Sequence, residues 1–272
     1  MKMTFSQYSD NDLTFNYSRE DRPDPGNFRM HSHECCELYY FESGSGIFHI
    51  EGTEYPLQSG DILVMRPAEA HYIEIRPDVP YTRFSIHFDP ELLRRADPSG
   101  RLCEPFFRRE PGTGNHYSAE RFPDLRAQTA LETLLTAESG SRAPVLVGLL
   151  SLVLELQRAK QSGELRDPSS DPTISRIIRY LNDHHTEPLS LASLCHTFGI
   201  SRSVLCRLFH QATGASIGEY VTVKRLAHAR ELLREGVPVM TTATACGFQD
   251  YSVFYRAYRK RFGCCPRQLR QE

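Results

Sequence analysis

The chain has 272 residues, 40% of them hydrophobic and 24% charged, with a formal net charge of −2. That length suits about two domains with cores of their own, and the apolar, uncharged stretch Ala143 to Leu154 falls short of the roughly 20 apolar residues that cross a bilayer. Met1 to Asp21 is polar, with no apolar signal core, so the expected location is the cytoplasm.

The near-neutral total hides a split. Residues 1–172 carry 18 Lys and Arg against 27 Asp and Glu, net −9, whereas residues 173–272 carry 14 against 7, net +7. A basic segment of this length suits a polyanion, nucleic acid first, and the acidic half would be repelled by one. The eight cysteines are scattered or adjacent, as in Cys35-Cys36 and Cys264-Cys265, without metal-ligand spacing, and read as reduced thiols.

From Phe28 to Phe88 short runs of Tyr, Phe, Ile and Val are broken by Gly-containing turns, which predicts a small antiparallel sandwich or barrel. Within it, H-S-H-E-C-C-E at 31–37 puts His31, His33 and Glu37 at odd positions, hence on one face of a strand. His71 follows the run G-D-I-L-V-M-R-P at 60–67. A short helix is expected at 91–95, irregular connection at 97–118, and helices near 122–138 and 144–161. The second of these carries more apolar residues than one face against a small barrel requires, so it packs either wholly within the chain or also against a second subunit. Residues 162–172 are polar and turn-rich, a linker between a sensor-like unit (1–161) and a helical unit (173–272).

In that last unit Ile174, Ile177, Ile178 and Leu181 follow helical spacing after an Asp171-Pro172 start. Ser190 caps a helix over 191–196, Gly199 turns the chain, and Ser201 caps another over 202–211: a helix-turn-helix pattern. A longer helix is expected over 219–235. The pattern then repeats. Gly199 matches Gly247, and Leu205, Arg207, Phe209 and Gly214 match Phe254, Arg256, Tyr258 and Gly263 after one extra residue in the second turn. Two in-register copies are far stronger evidence than one.

Two resemblances follow from these residues. H-x-H-x3-E-x6-G from His31 to Gly44 and G-x6-P-x3-H from Gly60 to His71 resemble the signature segments of the cupin fold. Residues 173–270, above all G-F-Q-D-Y-S-V-F-Y-R-A-Y-R-K-R-F-G-C-C-P at 247–266, resemble the DNA-binding domain of the AraC/XylS family of bacterial transcription regulators. Together they imply an α+β two-domain chain: an N-terminal antiparallel cupin-like barrel with a helical connection, then an all-α domain with two helix-turn-helix subdomains. The second resemblance implies that Arg202, Ser203, Cys206 and Arg207 on one recognition helix, and Tyr251, Ser252, Tyr255 and Arg256 on the other, face DNA. Arg207 and Arg256 are expected to contact bases, and Arg259, Lys260 and Arg261 phosphates. Thr242 stands where that family usually has an apolar core residue, so its hydroxyl needs a backbone acceptor.

The implied function is a sequence-specific transcription regulator, not an enzyme, that acts as a homodimer on double-stranded promoter DNA, meets RNA polymerase, and answers a small-molecule effector such as a carbohydrate. Its expected pocket residues are His31, His33, Glu37, Tyr39, His71 and His87. No cofactor is required by this reading. Two alternatives stay open: a divalent metal on His31, His33, Glu37 and His71, serving a metal-dependent cupin enzyme or a metal sensor fused to a DNA-binding domain, and thiol sensing through the paired cysteines.

Overall fold

A computed structural model describes residues 2–122, 125–161 and 172–267. The chain divides into two compact units, Met1–Ser169 and Ser170–Glu272. The expected linker (162–172), apart from the first residue of the following helix, and the Asp171 cap lie outside the described residues. No described helix is long and apolar enough to cross a membrane.

The first unit is built on nine described strands: β1 (Lys2–Ser9), β2 (Leu13–Glu20), β3 (Cys36–Ser43), β4 (Gly46–Ile50), β5 (Thr53–Pro56), β6 (Ile62–Met65), β7 (His71–Ile75), β8 (Tyr81–Phe88) and β9 (His116–Tyr117). A six-stranded sheet runs β1-β2-β8-β3-β6-β9 and a three-stranded sheet β5-β4-β7, with antiparallel pairing throughout. Alternation along each central strand of the larger sheet sends one set of side chains to each face. Leu38, Val64, Phe84 and Ile86 pack with helices α1 (Pro90–Ala96), α2 (Glu104–Phe107), α3 (Leu125–Leu135) and α4 (Arg142–Gln161). Tyr39, Leu63, Met65 and Tyr81 face the smaller sheet, where they meet Phe48, Ile50 and Ile73.

The expected strands start at Phe28, whereas the structure adds β1 and β2 ahead of them. Their text, K-M-T-F-S-Q-Y-S and L-T-F-N-Y-S-R-E, is too polar to announce itself, since β1 is an edge strand and six of its eight residues are exposed. On α4, Val145, Leu149, Leu152, Val153 and Leu156 are fully buried, while Val147 and Leu154 remain exposed at 57% and 42%. Close approach of α3 depends on Gly148, where a Cβ would sit 2.6 Å from Leu134 Cγ.

The second unit consists of α5 (Pro172–His184), α6 (Leu191–Phe198), α7 (Arg202–Thr213), α8 (Ile217–Arg234), α9 (Val239–Ala245) and α10 (Tyr251–Phe262). Ser190, Ser201, Ser216 and Asp250 cap α6, α7, α8 and α10 through their side chains. The Ser216–Glu219 capping box starts α8 two residues earlier than its apolar spacing suggests. Thr242 is fully buried, and its hydroxyl donates to Val237 O at 3.4 Å, which supplies the acceptor it needs.

The two helix-turn-helix subdomains touch beside α8 as well as through it. The α5–α6 loop rests on the α9–α10 turn: at Gly247 (φ +80°) a Cβ would lie 2.3 Å from Thr186 O. Arg225 of α8 clasps the same joint, donating from Nε to His185 O (2.6 Å) and from Nη2 to Glu187 O (2.8 Å), with its guanidinium 5.8 Å from the Phe248 ring centre. Gly199, the matching residue of the first copy, has the same left-handed backbone (φ +65°) but nothing within 4 Å of its Cβ position. Gly199→Ala is therefore expected to cost about 1 kcal/mol, for backbone strain alone. Gly247→Ala should cost about 2 to 4 kcal/mol, because overlap adds to strain. Urea unfolding of the two variants checks the difference, and equal losses would remove the steric role of Gly247.

Candidate functional site

Between the two sheets of the first unit lies a cavity of about 190 Å³, and all six expected pocket residues, His31, His33, Glu37, Tyr39, His71 and His87, line it. The route by which they meet differs from the expected one. Residues 32–35 form no strand, and β3 begins only at Cys36. His31 instead pairs with His71 through two backbone hydrogen bonds (3.0 and 2.8 Å), and His33 O accepts from Ala68 N (2.8 Å). The 31–33 segment is thus tied to the 68–71 turn before the chain bends into β3. Cross-strand register then sets Glu37 opposite His87.

Glu37 is 5% exposed and sits among imidazoles. Its Oε2 lies 3.1 Å from His71 Nε2 and 3.3 Å from His33 Nε2; its Oε1 is 3.5 Å from His87 Nε2. Burial opposes ionisation, but the charge of His87 and hydrogen bonds from His33, His71 and His87 outweigh it and hold the carboxyl well below the usual range. Burial also opposes protonation of His71, yet Glu37 pulls that ring above its ordinary value. Burial and the neighbouring His71 and His33 push His31 down to about 3, so it stays neutral.

The tautomers are set from behind. His31 Nδ1 faces Arg29 O and His71 Nδ1 faces Glu69 O, both at 2.8 Å. A carbonyl can only accept, so each Nδ1 carries the proton and each Nε2 of a neutral ring presents a lone pair. A proton or a metal cation must therefore lie between His71 Nε2 and the carboxylate. The donor atoms of His31, His33 and His71 all lie within 4.8 Å of one another, as do those of His33, Glu37 and His87. Imidazole nitrogens held by backbone carbonyls, with one carboxylate, suit Zn, Fe, Mn or Ni, so the residues fit a divalent transition metal.

The carbonyl that orients His71 belongs to Glu69, which is itself in a buried ion pair. Arg109 donates to both carboxylate oxygens at 2.6 Å, and Glu69 also accepts from the backbone of Arg66 and Gly112. Burial would raise the Glu69 carboxyl, but Arg109 holds it down to about 2. This pair was not legible from spacing, because its members are forty residues apart and Arg109 comes from the irregular connection.

The other wall of the cavity comes from β8, where Tyr81, Arg83 and Ser85 point the same way as His87. Only His87 is in the expected set, although a period of two along Y-T-R-F-S-I-H-F joins all four. Cys35 is raised to about 12 and Cys36 well above its ordinary value, chiefly by burial, so neither thiol ionises readily.

In the second unit the repeat produces two matching surfaces. Leu205 and Phe209 of α7, and Phe254 and Tyr258 of α10, are fully buried. Turned outward are Arg202, Ser203, Cys206 and Arg207 on the first helix, and Ser252, Arg256, Arg259 and Lys260 on the second. Tyr251, Tyr255 and Arg261 are half-buried.

A sandwich enclosing a polar cavity, followed by paired helix-turn-helix motifs, defines a ligand-responsive, DNA-binding transcription regulator. Residues 18–198 match the AraC-like ligand binding domain and residues 194–272 a helix-turn-helix domain, and the chain belongs to the AraC family. It is 27% identical over 260 residues to the HTH-type transcriptional activator RhaS of Escherichia fergusonii, covering 93% of this chain and 91% of that one. To the activator RhaR of Cronobacter sakazakii it is 26% identical over 261 residues, covering 93% and 90%. Among solved structures, ToxT from Vibrio cholerae aligns with 95% of this chain and 98% of its own at 12% identity, with a TM-score of 0.43.

Proposed function

We propose that the chain is a cytoplasmic activator that binds promoter DNA as a homodimer and responds to a small molecule held in the Met1–Ser169 cavity. Under this reading residues 1–161 sense, residues 162–172 link, and residues 173–272 read DNA. The observation that carries it is the matched exposure of Arg207 and Arg256, one per recognition helix, each opposite a buried core residue. Guanidinium can pair with guanine O6 and N7 at about 1–3 kcal/mol of discrimination. Arg202, Ser203, Cys206, Tyr251, Ser252 and Tyr255 frame those contacts, and Arg259, Lys260 and Arg261 hold phosphates. The exposed Val147 and Leu154 of α4 are the proposed dimer contact, and RNA polymerase the proposed downstream partner. The pocket binds its ligand and does not turn it over.

A second reading of the pocket is favoured by the lone-pair opposition between His71 Nε2 and Glu37 Oε2. In it His31, His33, Glu37 and His71, with His87, hold a divalent transition metal that makes the site electropositive. About one equivalent of metal per chain is then expected in protein purified without chelator, and Glu37→Gln, which removes a charged ligand, should weaken metal binding by at least about 10-fold. Metal-free protein whose folding and DNA binding ignore added Zn, Fe, Mn and Ni would leave the proton as the bridging cation.

For the DNA face, Arg207→Ala and Arg256→Ala should each relax base choice at one position by about 1–3 kcal/mol. Lys260→Ala should weaken binding to all sequences alike and lower the salt slope by about one. Affinities for selected and random duplexes at several salt concentrations decide this, and equal losses on both duplexes for all three variants would sink the assignment.

A further inference from the structure

Taking the cavity of the first unit as the effector site, we propose that its ligand is a small carboxylate-bearing anion whose acid group rests on Arg83. The inference deepens the functional reading above and depends on it for the word effector, though not for the site.

Arg83 enters the cavity from β8 between Tyr81 and Ser85. Its guanidinium has five N–H donors and a permanent charge. The hydrogen bonds it makes are to neutral oxygens: Nη1 donates to Asn16 Oδ1 (3.3 Å) and to Ser18 Oγ (3.1 Å), both on β2, and the guanidinium also bonds to the Tyr81 hydroxyl beside it. Among the described residues no carboxylate forms an ion pair with it, although a half-buried guanidinium normally has one. The acids nearest to it electrostatically, Glu37 and Glu20, have partners of their own. Glu37 is enclosed by His33, His71 and His87, and Glu20 lies 3.7 Å from Lys2 Nζ. One positive charge facing the cavity is therefore left without its counterion.

The surroundings say what kind of anion would supply it. Tyr39 and Tyr81 bond to each other through their hydroxyls. One hydroxyl donates to the other, which leaves the second hydroxyl proton to meet a ligand oxygen. Phe28, Phe48 and Ile73 supply an apolar wall. The cavity, of about 190 Å³, is small. A compact acid fits this set: a flat carboxylate matches the guanidinium fork, and its short body lies against the aromatic wall. A neutral sugar would leave the Arg83 charge uncompensated, and so would a carboxamide. A metal on the histidine cluster would add positive charge and strengthen the same preference.

The test uses the full chain and matched acid and amide probes: lactate and lactamide, succinate and succinamide, benzoate and benzamide, with xylose and glucose as neutral controls. Melting shifts and calorimetry should show at least one acid binding about 10- to 100-fold more tightly than its amide, the range expected for a hydrogen bond to a charged group. Arg83→Gln should abolish that preference. Arg83→Lys, which keeps the charge but loses the fork, should bind the acid with intermediate affinity and serves if the Gln variant does not fold. Sugars or amides binding as well as acids, an acid response that survives Arg83→Gln, or no response to any acid would each overturn the proposal. An Arg83-dependent acid that leaves DNA affinity unchanged would instead overturn the effector reading and keep the anion site. A neutral compound that shifts DNA affinity would do the reverse.

Discussion

The first unit depends on how one carboxylate survives out of water. An ionised Glu37 at 5% exposure costs several kcal/mol in desolvation unless partners meet it on every side. The partners are brought from three directions: the 31–33 segment tied to the 68–71 turn, β7 through His71, and β8 through His87. Tyr39, two residues along β3 from Glu37, points into the same space, so the strand that carries the charge also carries part of the binding wall. Pocket and charge compensation are one arrangement.

That arrangement is braced from the helical side of the sheet. Glu69 offers its carbonyl to His71 and its carboxylate to Arg109, and Arg109 belongs to the connection that contains α2. The same connection receives Lys160 from the last turn of α4, whose Nζ donates to Glu104 O (2.9 Å) and Arg108 O (2.7 Å). His71 is thus joined by hydrogen bonds and a short stretch of backbone to the last turn of α4. In the DNA-binding unit Arg225 and Gly247 hold the α5–α6 loop against the α9–α10 turn, which sets a fixed spacing between α7 and α10.

Much of this was legible in the chain, for reasons that differ by region. The duplicated Gly, Arg and aromatic positions exposed the second unit, because helix caps and core spacing repeat regardless of context. The fold class and the AraC family expectation are borne out. The six pocket residues converge, but not through the period of two assigned to 31–37: tertiary pairing of His31 with His71 replaced the strand, and no local pattern encodes that. The stripe Tyr81, Arg83, Ser85, His87 was readable from alternation, yet a search for metal-ligand types passes over an arginine. Glu69–Arg109 was out of reach, since only the fold brings two distant residues into one dry contact.

On the proposed reading, one chain offers two equivalent readers to one face of a duplex. Guanine-specific chemical footprinting of the full chain on an operator selected from random DNA tests this most directly. Two major-groove protections on the same face, about 10 base pairs apart, are expected, one lost in Arg207→Ala and the other in Arg256→Ala. A single protected segment, or two on opposite faces of the duplex, would contradict it.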